Sequence, residues 1–345
     1  MRLTRPAPLR TRPTASVVVP CYNYGHFLPD AVSSALDQTG LDVEVVIVDD
    51  ASTDDSADVA RRLAEHDARV RVLVHPENKG HIATYNDGLA EVRGDYVVLL
   101  SADDLLTPDS LTRSVSLLER HPSVALAYGL PVSFTGTPPA PVTRVTGWSL
   151  WSGETWLRRV CATARNPIVN PEVVLRRSVM DEIGGYDARH PFAADLLLWM
   201  QAAQRGDVGR VNGAHQALYR VHGQNMTTTD FAGVLANQRN VRAAFEELFA
   251  ASPGRADLEQ AARRALAVEA VREARLARAS DDAATAAGLS ELALTAYPPI
   301  TGTRGWRALH RDSSAPVAGL EHRVLTRSHA LRWSARSRRW RLVGT

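Results

Sequence analysis

At 345 residues the chain is too long for one small domain and suits one large α/β domain with an appendage. Its 45% hydrophobic and 23% charged residues are those of a globular protein with a sizeable core, and a formal net charge of +2 gives no global case for nucleic acid as a partner. Two cysteines, Cys21 and Cys161, exclude a disulfide scaffold and fit a reducing cytoplasm, while the absence of any apolar run of about eighteen residues argues against a transmembrane helix and a signal peptide.

Residues 1–14, rich in Arg and Pro, read as a disordered lead-in. Ser16–Pro20 is a short β-branched run ending at Pro, which predicts a buried strand, and the apolar spacing from Phe27 to Gln38 predicts a helix. The pattern repeats: strand at Val43–Val48, helix at Asp54–Glu65, strand at Val70–His75, helix at Ile82–Val92 stopped by Gly94, strand at Tyr96–Leu100. A helix at Leu111–Arg120 and a strand at Val124–Tyr128 follow. Residues 133–153 hold three Pro and three Gly and read as a long mobile loop. Beyond it the sequence predicts a strand at Glu172–Leu175, helices at Arg177–Ile183 and Leu196–Gln204, and strands at Val208–Val211 and Ala217–Val221. From about Asp230 to Ala296 an Ala-rich, Arg/Glu-rich helical pattern predicts an appendage of two or three helices.

Strands alternating with helices across short connections specify a mostly parallel sheet covered on both faces. Ligands of such sheets bind outside the carboxyl ends of the strands. Three strands here end in polar residues suited to a ligand: Tyr22-Asn23, Asp49-Asp50 and Asp103-Asp104. Asp49-Asp50 suits either a nucleoside's N–H and hydroxyl groups or the capping of the next helix. Adjacent Asp103 and Asp104 repel unless a cation or hydrogen-bond donors compensate, and hard cations bridging carboxylate to phosphate are one solution; a helix cap before Pro108 is the other. Asp195, in PFAADLLLW, is either an N-cap or a desolvated base. His222 is a structural histidine or a nitrogen ligand to metal, with Arg220 able to face a phosphate. Trp148 and Trp151 are core or loop anchors, or stacking platforms for a saccharide acceptor.

Taken in order, VVVPCYNYGHFLPDAVSSALDQT, VEVVIVDDASTDDS, HPENKGHIATYNDGL, GDYVVLLSADDLLTPDSL, VVLRRSVMDEIGGYDARHPFAADLLLWMQAA and YRVHGQNMT resemble the family 2 glycosyltransferases of the GT-A fold over about residues 15–225. The resemblance implies an α/β nucleotide-diphospho-sugar transferase domain at 15–228, followed by the helical appendage at 229–300 and a basic tail at 301–345. It implies that Pro20, Tyr22 and Asp50 meet the nucleobase and that Asn23, Asn78, Gly80, Asn86, Ser101 and Ala102 contribute to the nucleotide-sugar site. Asp103 falls at the metal-ligating second Asp of the D-x-D motif, with Asp104 or His222 as further ligands, and Asp195 at the general base. Two positions depart from the family pattern: Ser101 replaces the first Asp of D-x-D, and Ala194 replaces the acidic residue that often precedes the base.

The implied reaction is inverting transfer, aided by Mn²⁺ or Mg²⁺, from a nucleotide sugar (UDP sugars being the family's commonest) to a hydroxyl or amine of a saccharide, lipid-linked or small-molecule acceptor. Nucleic acid is not an expected partner, and a homo-oligomer is open. The 321–345 segment carries seven Arg against one acidic residue, with Trp333 and Trp340, which fits either a solvated tail or peripheral attraction to anionic lipid at the inner face of the membrane. Two rival readings are a non-catalytic carbohydrate- or nucleotide-binding protein that keeps the fold, and a nucleotidyltransferase, which PCYNYGHF disfavours because it is not a Gly-rich phosphate loop.

Overall fold

The computed structural model describes residues 1–168, 170–225 and 233–311. These fall into two compact units: Met1–Trp156 with Ile168–Gly223, and Leu157–Pro167 with the described residues from Gln224 onward.

The first unit is built on one sheet. Its strands are β1 (Arg2–Thr4), β2 (Thr14–Cys21), β3 (Asp42–Asp49), β4 (Val70–Val74), β5 (Tyr96–Leu99), β6 (Leu105–Leu106), β7 (Val124–Phe134), β8 (Gly147–Trp151), β9 (Val174–Arg176) and β10 (Asp207–Arg220). The order across the sheet is β1-β8-β10-β7-β9-β5-β2-β3-β4, with β6 paired to β10. Strands β5, β2, β3 and β4 run parallel, and the registers Cys21↔Asp49 and Asp49↔Val74 bring their carboxyl ends to one edge. The interior residues of β2 and β3 are almost all buried, as parallel strands covered on both faces must be. Helices α1 (Leu28–Leu36), α2 (Ser56–His66), α3 (His81–Ala90), α4 (Ser110–Arg120), α6 (Arg177–Ile183) and α7 (Ala194–Arg205) accompany it, while α5 (Gly153–Thr163) begins in the first unit and has its residues from Leu157 in the second. α3 sits close on the sheet because Gly88 lacks a side chain: a Cβ there would come within 2.4 Å of Val18 Cγ1.

The α/β architecture predicted from the alternation of strands and helices is the one observed, with three local differences. The lead-in expected over 1–14 contains an edge strand, β1, whose Arg2, Leu3 and Thr4 register on Leu150, Ser149 and Trp148. The segment 133–153, expected as a mobile loop, is structured at both ends, since β7 runs on to Phe134 and β8 occupies Gly147–Trp151. The two short strands expected at 208–211 and 217–221 are one long irregular strand, β10. Trp148 and Trp151 are therefore not acceptor platforms. Both are 1% exposed, Trp148 edge-on to His121 and Trp151 stacked with Tyr128, because β8 pairs with β10 inside the sheet and these rings fill the core.

In the second unit, α8 (Val234–Ala250), α9 (Ala256–Ala279) and α10 (Ala283–Ala296) lead through a 3₁₀ turn (Pro298–Gly302) to the short helix α11 (Arg304–Leu309). Its core is a stripe of Ala267, Ala270, Val271 and Ala274 on α9 against Leu289, Leu292 and Ala293 on α10. Asp282 caps α10 by accepting from the Thr285 amide at 3.0 Å, and Thr303 caps α11 by accepting from the Trp306 amide at 3.2 Å. The helical appendage predicted from the Ala-rich pattern is present. No helix among the described residues is long and apolar enough to cross a membrane. The basic tail beyond Arg311, with Trp333 and Trp340, lies outside the described residues.

Candidate active site

The carboxyl edge of the parallel strands gathers the predicted polar residues. β2 passes through half-buried Pro20 to exposed Tyr22, then turns at Asn23, whose φ of 59° is left-handed. The Asn23 carboxamide oxygen accepts from the Thr53 amide at 2.7 Å and the Asp54 amide at 3.3 Å, and the Asn23 amide donates to Ser52 Oγ at 2.9 Å. Asn23 thus ties the loop after β2 to the loop after β3, a framework role where a ligand contact was expected.

The Asp49-Asp50 pair divides its work. Asp49 Oδ2 accepts from the Ser52 amide at 3.1 Å, which is the turn role. Asp50 points the other way: Oδ1 accepts from the Lys79 amide at 2.8 Å and Oδ2 from the Gly80 amide at 2.9 Å, while His75 Nδ1 lies 2.7 Å from Oδ1. Burial alone would raise the Asp50 pKa, but the bonds from His75 and the two amides hold it below its ordinary value. Asn78 closes the same loop, donating to the Asp50 carbonyl at 3.2 Å and accepting from the Gly80 amide at 3.1 Å. Gly80, at φ 81°, takes a left-handed conformation that a side chain would strain. On its far side His75 Nε2 approaches Asp87 Oδ2 at 3.0 Å without hydrogen-bond alignment, and Lys79 Nζ pairs with the same oxygen at 2.9 Å. His75 was not singled out from sequence, where it is merely the residue after a strand.

Ser101, Ala102, Asp103 and Asp104 follow β5. Two-residue β6 pairs antiparallel with β10 through Ala217↔Leu106 and Leu218↔Leu105, which carries Asp103 and Asp104 alongside Arg220 and His222. The two carboxylates then separate. Asp104, 1% exposed, accepts from the Arg220 amide at 2.8 Å. Burial drives its pKa well up, and the neighbouring Asp103 charge adds to this against the opposing effect of Arg220. Asp104 therefore anchors the end of β10 through Oδ1. Asp103 Oδ2 lies 3.0 Å from His222 Nε2. The His222 ring is held edge-on to Tyr24 and tilted against Phe27, at centroid distances of 5.5 and 5.2 Å. Arg220 donates from Nε to the Asp103 carbonyl at 2.8 Å, its guanidinium lying 4.6 Å from the Phe27 ring centroid and 4.7 Å from that of Phe134.

Asp195 is the second residue of α7, where an acidic side chain is favoured by the helix dipole, and its Oδ1 accepts from the Leu196 amide at 2.7 Å. Three residues of α3 hold the segment that leads to it. Asn86 donates to the Tyr186 carbonyl and accepts from the Tyr186 amide, both at 2.8 Å; a Cβ on Gly185 would come within 2.5 Å of the Asn86 oxygen. Tyr85 stacks on Tyr186 with centroids 5.2 Å apart, and His81 Nε2 lies 3.0 Å from the Pro191 carbonyl. With both ends of its amide engaged, Asn86 ties α3 to the segment that leads to Asp195.

Tyr85 joins the two halves of the site. Its hydroxyl bonds to Ser101 and feels the charges of Asp103, Asp104 and Asp195; burial, partly offset by the Ser101 bond and reinforced by those carboxylates, pushes its pKa up to about 12. It is a protonated hydroxyl among carboxylates at neutral pH. Sequence reasoning missed it, because a Tyr at helical spacing reads as core.

A carboxylate oxygen and an imidazole nitrogen converge at this strand edge, a donor pair able to hold a divalent cation.

The model of the family described as "Glycosyl transferase family 2" matches residues 16–184. An uncharacterized glycosyltransferase of Haemophilus influenzae is 33% identical over 110 residues, which is 32% of this chain and 44% of that protein. The chain thus matches less than half the length of that relative. Among solved structures, residues 1–349 of TarS from S. aureus in complex with UDP-GlcNAc share 15% identity, with 92% of each chain covered and a TM-score of 0.59. The mannosyltransferase PcManGT from Pyrobaculum calidifontis, in complex with GDP-Man and Mn²⁺, shares 19% identity over 98% of this chain and 85% of that one, at a TM-score of 0.57. The family model falls on β2 to β5 and the loops that follow them, so residues 16–184 match glycosyl transferase family 2, and the chain has the GT-A fold.

Proposed function

We propose that the protein transfers a sugar from a nucleoside-diphosphate sugar to an acceptor hydroxyl or amine with inversion at the anomeric carbon. The observation that carries this reading is the meeting at one strand edge of the Asp103–His222 pair and Asp195, with the Tyr85 hydroxyl within reach of their fields. In this reading Pro20 and Tyr22 flank the nucleobase, with uridine as the assigned base, and Asp50 shapes the Asn78–Gly80 loop beside it. Asp103 and His222 hold the divalent cation, which when bound supplies positive charge against the diphosphate leaving group. Ser101, where the family carries an acid, leaves one negative charge fewer at the diphosphate and presents a hydroxyl oriented by Tyr85.

Asp195 is the base. The acceptor oxygen or nitrogen attacks the anomeric carbon, its proton passes to an Asp195 carboxylate oxygen, and the bond to the diphosphate breaks with its electron pair leaving on the phosphate oxygen. Asn86, Tyr186 and His81 keep that carboxylate aimed at the crevice. The acceptor is a saccharide, a lipid-linked saccharide or a small molecule. The test is incubation with α-linked UDP sugars and a panel of saccharide acceptors, with the product anomer read by NMR. A β-linked product is expected. An α-linked product would overturn the single-displacement reading and the role of Asp195 as base.

A further inference from the structure

Tyr85 is held in place from several sides before any ligand arrives. It sits on α3, half-buried, with its ring stacked on Tyr186 at an interplanar angle of 24° and the His81 ring edge-on at 6.4 Å. Asn86, the next residue, bonds the amide and the carbonyl of Tyr186, so the two tyrosine rings cannot slide apart without breaking both bonds. The Tyr85 hydroxyl reaches half-buried Ser101 after β5. That bond lowers the phenol's pKa, which is the effect of a hydroxyl donating to the phenol oxygen, and it leaves the phenol's own proton for another acceptor. Asp103, Asp104 and Asp195 act on the phenol through their charges, not through hydrogen bonds.

Under the proposed function the diphosphate lies on the Asp103 side and the acceptor on the Asp195 side. The transferred sugar spans the interval between them, and the Tyr85 hydroxyl feels the charge of both carboxylates. A sugar hydroxyl there accepts the phenol proton and keeps its own to donate to a carboxylate. A sugar carboxylate would meet like charge, and the groups that act on Tyr85 include no guanidinium or ammonium to offset it. We propose that the Tyr85 hydroxyl donates to a hydroxyl of the transferred sugar and selects an uncharged donor sugar over a uronic acid. This rests on the reading of the edge as a nucleotide-sugar site.

The experiment compares the full-length protein with its Tyr85→Phe variant, which keeps the ring and its stack on Tyr186 and loses only the hydroxyl. Both are checked by thermal melting. UDP, UDP-glucose, UDP-galactose, UDP-N-acetylglucosamine and UDP-glucuronate are titrated calorimetrically into each in Mn²⁺. The variant is expected to bind at least one uncharged donor about three- to tenfold more weakly, the range of one neutral hydrogen bond, with UDP within about twofold of wild type. Wild-type protein should bind UDP-glucuronate more weakly than that donor. Three results overturn the proposal and leave the nucleotide site standing: a folded variant that loses no affinity for any uncharged donor, a variant that loses UDP and the donors equally, and wild-type protein that binds UDP-glucuronate as tightly as the uncharged donors or binds UDP but none of those donors. Wild-type protein that does not bind UDP overturns the uridine nucleotide site and this proposal together.

Discussion

Asp195→Asn is expected to lower kcat by about 10²–10⁴-fold, the range a positioned general base contributes, while the dissociation constant of the sugar donor stays close to wild type. The substitution keeps the size of the side chain and an oxygen able to accept from the Leu196 amide, so the first turn of α7 is preserved. What it removes is the basic oxygen proposed to receive the acceptor's proton. The nucleotide is assigned to the ends of β2, β3 and β5, whose loops are held by Asn23, Asp50 and Asn78, and none of those bonds involves Asp195. Turnover measured by nucleoside-diphosphate release, beside calorimetric binding of the sugar donor, separates the two quantities. Equal loss of turnover and binding would assign Asp195 to ground-state binding instead.

Asp103→Ala is expected to weaken affinity for a nucleoside diphosphate in Mn²⁺ by at least about tenfold, which is about 1.4 kcal/mol, and to abolish the difference between titrations with and without the ion. The substitution removes the carboxylate that faces His222 but keeps the carbonyl that accepts from Arg220, so the anchoring of β10 survives. His222→Ala should produce the same effect more weakly, because the carboxylate carries the charge. Unchanged affinity in the Asp103 variant would remove this residue from cation binding.

The parallel half of the sheet was legible because strands buried on both faces are near-continuous apolar runs, and three of the four end in a polar pair whose position follows from strand direction. The other half was less so. β8 lies in a Pro- and Gly-rich stretch where GWSLW carries no clean alternation, and β1 has three residues; both depend on pairing with distant segments. The same limit applies within the site. Asp103 was readable as a member of an acidic pair, but its meeting with His222 depends on a two-residue strand, β6, registering on β10. Asn23 and Asn86 look like ligand groups in a motif, yet their amides are engaged with backbone more than a loop away, which spacing does not reveal. Tyr85 and His75 went unnoticed because a tyrosine inside a helix and a histidine after a strand usually pack, and only the fold brings them against carboxylates.

The central claim is that this strand edge binds a nucleoside diphosphate through a cation held at Asp103. Calorimetric titration of UDP, GDP and thymidine diphosphate into the protein, with Mn²⁺ and then with EDTA, tests it most directly. The account predicts that UDP binds in Mn²⁺ and loses most of its affinity in EDTA. Well-folded protein that binds none of the three in either condition would contradict it.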